Sequence, residues 1–193
     1  MSHTILNDAI KLFREELRKN SGCGALSRSG QSRASDLPPT LDEFYQSANP
    51  DALEIPWVVE WLTLYPWEEL SDAQEGFAHS VGAPGTLAPG WRSHWLVIGD
   101  ASGDPIIADT STREGLIFMA QHGTGEWAPK AVSRNIGEFL VVLTAWLRLW
   151  REFEGKVRGE SGELLAEIES RFGSDVTAHL TPAHRGNLLG MIG

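Results

Sequence analysis

The sequence of 193 residues contains a single cysteine, Cys23, and no long apolar run. A transmembrane helix needs roughly 18 or more consecutive apolar residues, so the pattern predicts no membrane partner. One thiol permits neither an internal disulfide nor a cysteine-based zinc site, and is typical of a reducing compartment. The first residues also lack the cationic flank, apolar stretch and cleavage site of a signal peptide. We therefore expect a soluble cytoplasmic protein in which Cys23 is exposed.

Lysine and arginine are scarce in the middle of the chain. Residues 37–129 carry fourteen acidic side chains but only two basic ones, Arg92 and Arg113, whereas the net charge of the whole chain is -10. A negative field of this kind repels nucleic acid and speeds association with basic proteins. The charge pattern therefore predicts no nucleic-acid ligand. It leaves two interpretations open, which are solubility and a basic protein partner.

Motifs that carry chemistry are also scarce. The aspartates Asp100, Asp104 and Asp109 could form a metal loop, but a calcium loop needs oxygen ligands at alternate positions. Aspartate and glycine are equally typical of tight turns. The glycine-rich stretches lack the Gly-Lys-Ser/Thr ending of a P-loop. We expect turns here, with no cofactor and no catalytic residue, and a metal-dependent enzyme using these three aspartates is the alternative.

Two histidines flank the same region. His94 and His122 could approach each other or Asp109. Lone histidines are more often hydrogen-bonded or exposed than metal-bound, and no second ligand stands at a fixed helical spacing. The sequence predicts no metal site at these residues.

The periodicity of apolar residues predicts an α+β fold. Residues 1–19 form an amphipathic pattern whose apolar members are Ile5, Leu6, Ala9, Leu12, Phe13 and Leu17. Three short strand-like stretches within residues 94–121 are separated by hairpin-length turns, which predicts an antiparallel β-meander. The helix predicted from residue 135 to 154 is apolar over so wide an arc that both the sheet and other helices should cover it. We expect helices to pack on one face of the meander.

Composition also suggests a division of the chain. Residues 1–19 are predicted as an amino-terminal helix and the glycine- and serine-rich residues 20–36 as a flexible linker. Residues 37–154 should form the α+β domain. Residues 155–193 should form a helical extension that packs on the same domain.

A short acidic helix is the predicted partner-binding surface. Its candidate contact residues are Trp67, Glu68, Glu69, Asp72 and Glu75. Tryptophans concentrate binding energy at the centres of interfaces, and carboxylates attract a basic surface. The same pattern also fits a solvated helix face beside an ordinary core tryptophan, so both interpretations stay open.

Four stretches taken in order resemble the SUKH superfamily, which includes bacterial immunity proteins and fungal cell-wall synthesis regulators. They are LPPTLDEFYQSAN, WLVIGDASGDPIIADT, GLIFMAQHG and AVSRNIGEFLVVL, and together they lie within residues 37–150. The positions that match the family pattern are Leu37, Pro38, Trp95, Ile98, Gly99, Asp100, Gly103, Asp104, Asp109, Ser133, Phe139 and Leu140.

The resemblance implies a SUKH-like α+β fold and, for bacterial members, tight binding to a cognate toxin, often a nuclease. The matching positions build the fold and designate no active site. The first hypothesis is therefore a non-enzymatic immunity protein that covers the basic active-site surface of a toxin. The second is an intracellular scaffold or regulator of the same fold without a toxin partner.

Overall fold

The computed structural model describes residues 2–28, 37–58, 60–79, 85–123 and 125–192. These residues form five α-helices, namely α1 (Ser2–Leu17), α2 (Pro39–Ala48), α3 (Ile136–Glu152), α4 (Ala166–Thr177) and α5 (Pro182–Ile192). They also form eight strands, namely β1 (Ala25–Ser27), β2 (Asn49–Asp51), β3 (Leu53–Pro56), β4 (Trp61–Leu64), β5 (Trp95–Ala101), β6 (Asp104–Asp109), β7 (Ile117–Met119) and β8 (Lys130–Ser133). Two 3₁₀ helices, Trp67–Glu69 and Asp72–Gln74, stand where the sequence predicted one short helix.

Strands β3 to β8 form one antiparallel sheet in which sequence neighbours are also spatial neighbours. This arrangement confirms the predicted α+β fold with a meander sheet. The turn between β5 and β6 consists of Ser102 and Gly103, whose φ angles are 56° and 88°. Two successive positive φ values make a type I′ turn, which matches the twist of the paired strands. The predicted turn at this aspartate-glycine cluster is therefore confirmed.

The sheet buries both of its faces, because successive residues of a strand point to opposite sides. On one side of the sheet lies the main core, which contains sheet residues such as Ile106 and Ile117 together with residues of all five helices of the described residues, among them Phe13, Phe44 and Phe172. The other face carries a smaller cluster that includes Trp91, Trp95, Val97 and Ile107. As predicted, α3 is covered twice, by the sheet on one side and by α1 and α4 on the other.

The buried side of α1 differs from the prediction at two positions. Leu6, Ala9, Phe13 and Leu17 are buried as expected, together with Ile10, but the predicted members Ile5 and Leu12 are exposed. Ile5 and Leu12 are seven residues apart, so at about 100° per residue they point in nearly the same direction. That direction is away from α3, and the prediction was wrong for both.

Residues 20–28 are more structured than the predicted linker. Strand β1 pairs with β2, and Leu26 is buried between the helices. Cys23 is only 4% exposed, which contradicts the expected exposed thiol, and burial raises the pKa of its thiol. Gly24 has a positive φ, and a Cβ added there would lie 2.0 Å from the carbonyl oxygen of Ala52. The rest of the predicted linker, residues 29–36, lies outside the described residues.

Side chains cover both edges of the six-stranded sheet. On β3, Pro56 has no amide hydrogen and its carbonyl accepts a hydrogen bond of 2.7 Å from Trp146 Nε1. The neighbouring amide of Glu54 donates to Ala52 O at 3.1 Å. On β8, Asn187 of helix α5 donates to Ala131 O at 2.9 Å.

Among the described residues, no helix combines the length and the apolar character that a membrane crossing requires.

Candidate functional site

The predicted contact residues lie on residues 67–75, which we call the acidic segment and which follows β4. Glu68, Glu69, Asp72 and Glu75 are exposed, whereas Trp67 is half-buried against the main core. Between the two 3₁₀ turns, the buried side chain of Leu70 fixes the segment to the core. The fold thus brings these four carboxylates onto one short stretch of surface. Their role in binding stays a prediction.

The beginning of the acidic segment is held by Asn49, the buried first residue of β2. Its Oδ1 accepts a hydrogen bond of 2.9 Å from the amide of Trp67, and its Nδ2 donates to Glu68 Oε2 at 3.0 Å. The Trp67 ring also packs edge-on against Tyr45, with the ring centroids 5.8 Å apart. Both the donor and the acceptor of the buried Asn49 side chain are thus hydrogen-bonded. Breaking either bond would leave a polar group unpaired, so this side chain fixes the local geometry.

The end of the acidic segment is held by Gln74, whose side-chain amide bonds to the backbone of β5 beyond the end of its pairing with β4. The amide of Val97 donates to Gln74 Oε1 at 3.0 Å, and Gln74 Nε2 donates to Val97 O at 3.0 Å. Strand β4 pairs with β5 only from Gly99 to Ala101, and on the other side of β5 the pairing with β6 shifts register between Val97 and Gly99. The Gln74 amide therefore satisfies the backbone groups that β4 leaves unpaired.

Gly99 explains why β4 and β5 can approach each other closely. A Cβ added to Gly99 would lie 2.2 Å from the carbonyl oxygen of Thr63, well inside van der Waals contact. Any other residue would therefore push the strands apart and disturb the bonds to Gln74. Gly99 belongs to the family pattern, and its role in this structure is close backbone packing.

Asp100 connects the same region to the sheet. Its Oδ2 accepts a hydrogen bond of 2.6 Å from the Tyr65 hydroxyl, and its Oδ1 accepts one of 2.9 Å from the amide of Gly103. Burial, followed by the bond to Asp100, raises the pKa of the Tyr65 hydroxyl well above its ordinary value. Tyr65 therefore remains a neutral donor at physiological pH.

The three aspartates of the alternative metal site do not converge. Whereas Asp100 bonds to Tyr65, Asp104 Oδ1 accepts a bond of 2.8 Å from the amide of His122. Asp109 Oδ1 accepts bonds of 2.8 and 2.6 Å from the amide and hydroxyl of Ser111. Within the part of the chain that the structure describes, no three His, Cys, Asp or Glu side chains form a group that could hold a metal ion. The geometry contradicts an ion shared by these aspartates.

The two histidines considered in the sequence lie apart as well. His122 Nδ1 is 2.6 Å from Asp104 Oδ1, whereas His94 Nε2 is 3.9 Å from Asp109 Oδ1. Each histidine thus has its own carboxylate neighbour, at a separate corner of the sheet. Their positions fit the stabilisation of turns.

The remaining matching positions serve the fold. Phe139 and Leu140 are fully buried on α3, Ile98 lies in the main core, and Trp95 lies in the cluster on the opposite face. Leu37 and Pro38 precede α2, and Pro38 packs against Gly115. The buried hydroxyl of Ser133 donates to Asn135 O at 3.0 Å, next to the first turn of α3.

The model of the SMI1 / KNR4 family (SUKH-1) matches residues 31–141 of the chain. The chain belongs to this family. Comparisons with curated proteins and with solved structures gave no match. Membership of the SUKH-1 family supports an immunity or regulatory protein-binding domain. The match ends within α3, so α1, α4 and α5 of this SUKH-1 protein lie outside it.

Sequence reasoning predicted the acidic residues as contacts, which stays a prediction, and missed the two side-chain amides that hold their segment. Asn49 directly follows α2, and Gln74 lies inside the predicted short helix. No local pattern marks either residue, because its role depends on strands distant in sequence. A glutamine among carboxylates, on a segment that precedes a strand, was the one available signal.

Proposed function

We propose that this SUKH-1 protein is a bacterial immunity protein that binds a cognate toxin and covers its basic active-site surface. The observation that carries the proposal is the acidic segment, where Glu68, Glu69, Asp72 and Glu75 are exposed on a backbone that Asn49 and Gln74 hold at both ends. A toxin that cleaves nucleic acid must be basic where it binds phosphate, so the two surfaces would be complementary.

Two further features support this proposal. Residues 37–91, which include the acidic segment, contain no lysine or arginine. The hydrogen bonds of Asn49 and Gln74 order the segment before a partner arrives. Less conformational freedom is then lost on binding, which favours affinity. We further propose a cytoplasmic location, since the protein would protect the cell that makes the toxin.

The test is binding to the polypeptide that is encoded next to the gene of this protein. We expect the variant Glu68→Lys, Glu69→Lys, Asp72→Lys, Glu75→Lys to associate about tenfold more slowly at 50 mM salt, because steering by opposite charge is lost. Stopped-flow association at 50 and 300 mM salt measures the difference, which should shrink at the higher concentration. Inhibition of the partner's nuclease activity should weaken in parallel.

The matched control reverses four exposed carboxylates elsewhere, Glu160, Glu163, Glu169 and Asp175. This control changes the net charge by the same amount. It should slow association much less, because these residues lie near or on α4 and therefore outside the acidic segment. Equal effects of both variants would contradict a specific role for the acidic segment. Binding without any inhibition of a toxin activity would instead support a regulator.

A further inference from the structure

Trp61 on β4 is unusually open to solvent. Its side chain is 53% exposed, and it is the one exposed tryptophan among the eight, all of which lie in the described residues. The next residue, Leu62, is buried in the main core. Within the described residues, the Trp61 ring forms no contact with another aromatic ring or cation, whereas Trp57, Trp91, Trp95 and Trp146 all pack against neighbouring rings. Ring stacking among the described residues therefore does not account for the position of the Trp61 side chain.

The backbone that carries Trp61 is firmly held. Trp61 pairs with Pro56 across the β3–β4 hairpin, and its carbonyl accepts a hydrogen bond of 3.0 Å from the amide of Ser102. The ring thus projects from a fixed strand and would lose little backbone freedom on binding. Rigid aromatic side chains of this kind are the commonest energetic centres of protein interfaces.

A groove of about 380 Å³ lies beside Trp61, and its apolar wall includes Pro56 and Trp150. The charged side chains of Lys19, Arg151 and Glu154 also line it. The two cations share the single buried carboxylate of Glu16, at 3.1 and 2.9 Å. Glu154 adds a second carboxylate beside them. The groove is wide enough for one long side chain of a partner protein.

Charge and position identify the kind of partner. Glu54 and Glu60 are exposed near Trp61 on the same hairpin, and residues 37–91 contain no lysine or arginine. Trp61 and Trp67 are six residues apart, so the extended chain between them spans at most about 20 Å. A standard interface of about 800 Å² per partner is wide enough to include both. A basic surface that meets the acidic segment would therefore also reach Trp61.

We propose that Trp61 and its groove bind an arginine side chain of the same basic protein partner. The inference rests on the proposed function and adds an aromatic contact to its acidic surface. Arginine stacks on the tryptophan face more readily than lysine, because its guanidinium group is planar and weakly hydrated. Trp61 would then determine how slowly the complex dissociates, whereas the acidic segment would determine how fast it forms.

The experiment compares Trp61→Ala and Trp61→Phe with the fourfold reversal of the acidic segment, using surface plasmon resonance with the neighbouring gene's polypeptide. We expect Trp61→Ala to raise Kd about 30-fold through dissociation, with association changed less than about twofold. Trp61→Phe keeps an aromatic face and should lose about fivefold or less. Circular dichroism should show unchanged folding, because the side chain is exposed.

A second probe separates the two proposals. Octa-arginine and octa-lysine peptides carry equal charge, and Trp61→Ala should lower the affinity for octa-arginine about threefold more than that for octa-lysine. If Trp61→Ala binds the polypeptide like the unchanged protein, the inference is overturned while the proposed function stands. If the polypeptide does not bind at all, the proposed function fails. In that case the two peptides test the inference alone. Equal losses of affinity for octa-arginine and octa-lysine in Trp61→Ala overturn it, and a loss selective for octa-arginine supports it.

Discussion

The buried side chain of Glu16 connects the ends of two helices. It lies on α1, is 1% exposed, and accepts hydrogen bonds from Arg151 of α3 and from Lys19. Burial opposes ionisation of this carboxyl, but the bonds from Arg151 and Lys19 outweigh it, so the pKa of Glu16 is lowered. A buried charge with two partners fixes the position of α1 on α3, because removing it would leave those partners without a counter-charge.

We expect Glu16→Gln to lower the free energy of unfolding by about 1 to 3 kcal/mol at pH 7, through loss of charged hydrogen bonds. Because the folded pKa lies below the unfolded value of about 4.3, the contribution is complete above that value. It disappears as the pH falls through the folded pKa, so urea denaturation should show a smaller difference at pH 3.5 than at pH 7. The control Glu154→Gln removes an exposed pair with Lys156 and should change stability by less than about 0.5 kcal/mol. A difference that grows in acid would contradict this account.

At the scale of elements, the acidic segment owes its shape to the neighbouring strand. Gln74 bonds to both backbone groups of Val97, and its Nε2 also donates to Leu70 O at 2.7 Å. One side chain thus joins the segment to β5 and closes its second turn. The exposed carboxylates are held by this bond pattern, since two three-residue 3₁₀ turns alone would have little stability.

We predict that Gln74→Leu lowers the free energy of unfolding by about 2 to 4 kcal/mol, because two buried backbone groups of Val97 lose their partners. Hydrogen exchange should become faster at the amide of Val97 and within residues 67–75. The control Gln46→Leu removes an exposed bond to Asp42 on α2 and should cost less than about 0.5 kcal/mol. Unchanged exchange in the acidic segment would show that other contacts hold it.

The meander sheet could be predicted from the sequence, but the hydrogen bonds that hold the acidic segment could not. Turn residues such as Gly103 and apolar strand residues such as Ile106 act locally, so their pattern is visible along the chain. Gln74 and Asn49 act on residues that are distant in sequence, which leaves no periodic signal. Cys23 was mistaken for an exposed thiol for the same reason, because the neighbouring strand β1 pairs with β2, which is distant in sequence.

At the scale of the whole molecule, helices outside the family match contribute to one core. Phe13 of α1, Phe172 of α4 and Leu188 of α5 are all fully buried with residues of the sheet. The family match covers residues 31–141, so these helices enlarge the hydrophobic core on the helical face. We therefore expect α1 to unfold together with the sheet.

We predict that Phe13→Ala lowers the free energy of unfolding by about 3 to 5 kcal/mol, since it opens a cavity in the shared core. Its neighbour Leu12 is exposed, so Leu12→Ala should change stability by less than about 0.5 kcal/mol. Urea denaturation followed by tryptophan fluorescence and by far-ultraviolet circular dichroism should give coincident curves for both variants. A fluorescence midpoint that Phe13→Ala leaves unmoved would mean that α1 folds as a separate unit.

The two covered edges of the six-stranded sheet limit how this protein can bind other chains. Pro56 and the Trp146 indole occupy one border, and the Asn187 amide occupies the other. A foreign strand would have to displace these groups before it could extend this sheet, so fibre growth from the native fold through these edges is disfavoured. Recognition is left to side chains that project from the surface, and its specificity can change by substitution while the backbone framework stays the same.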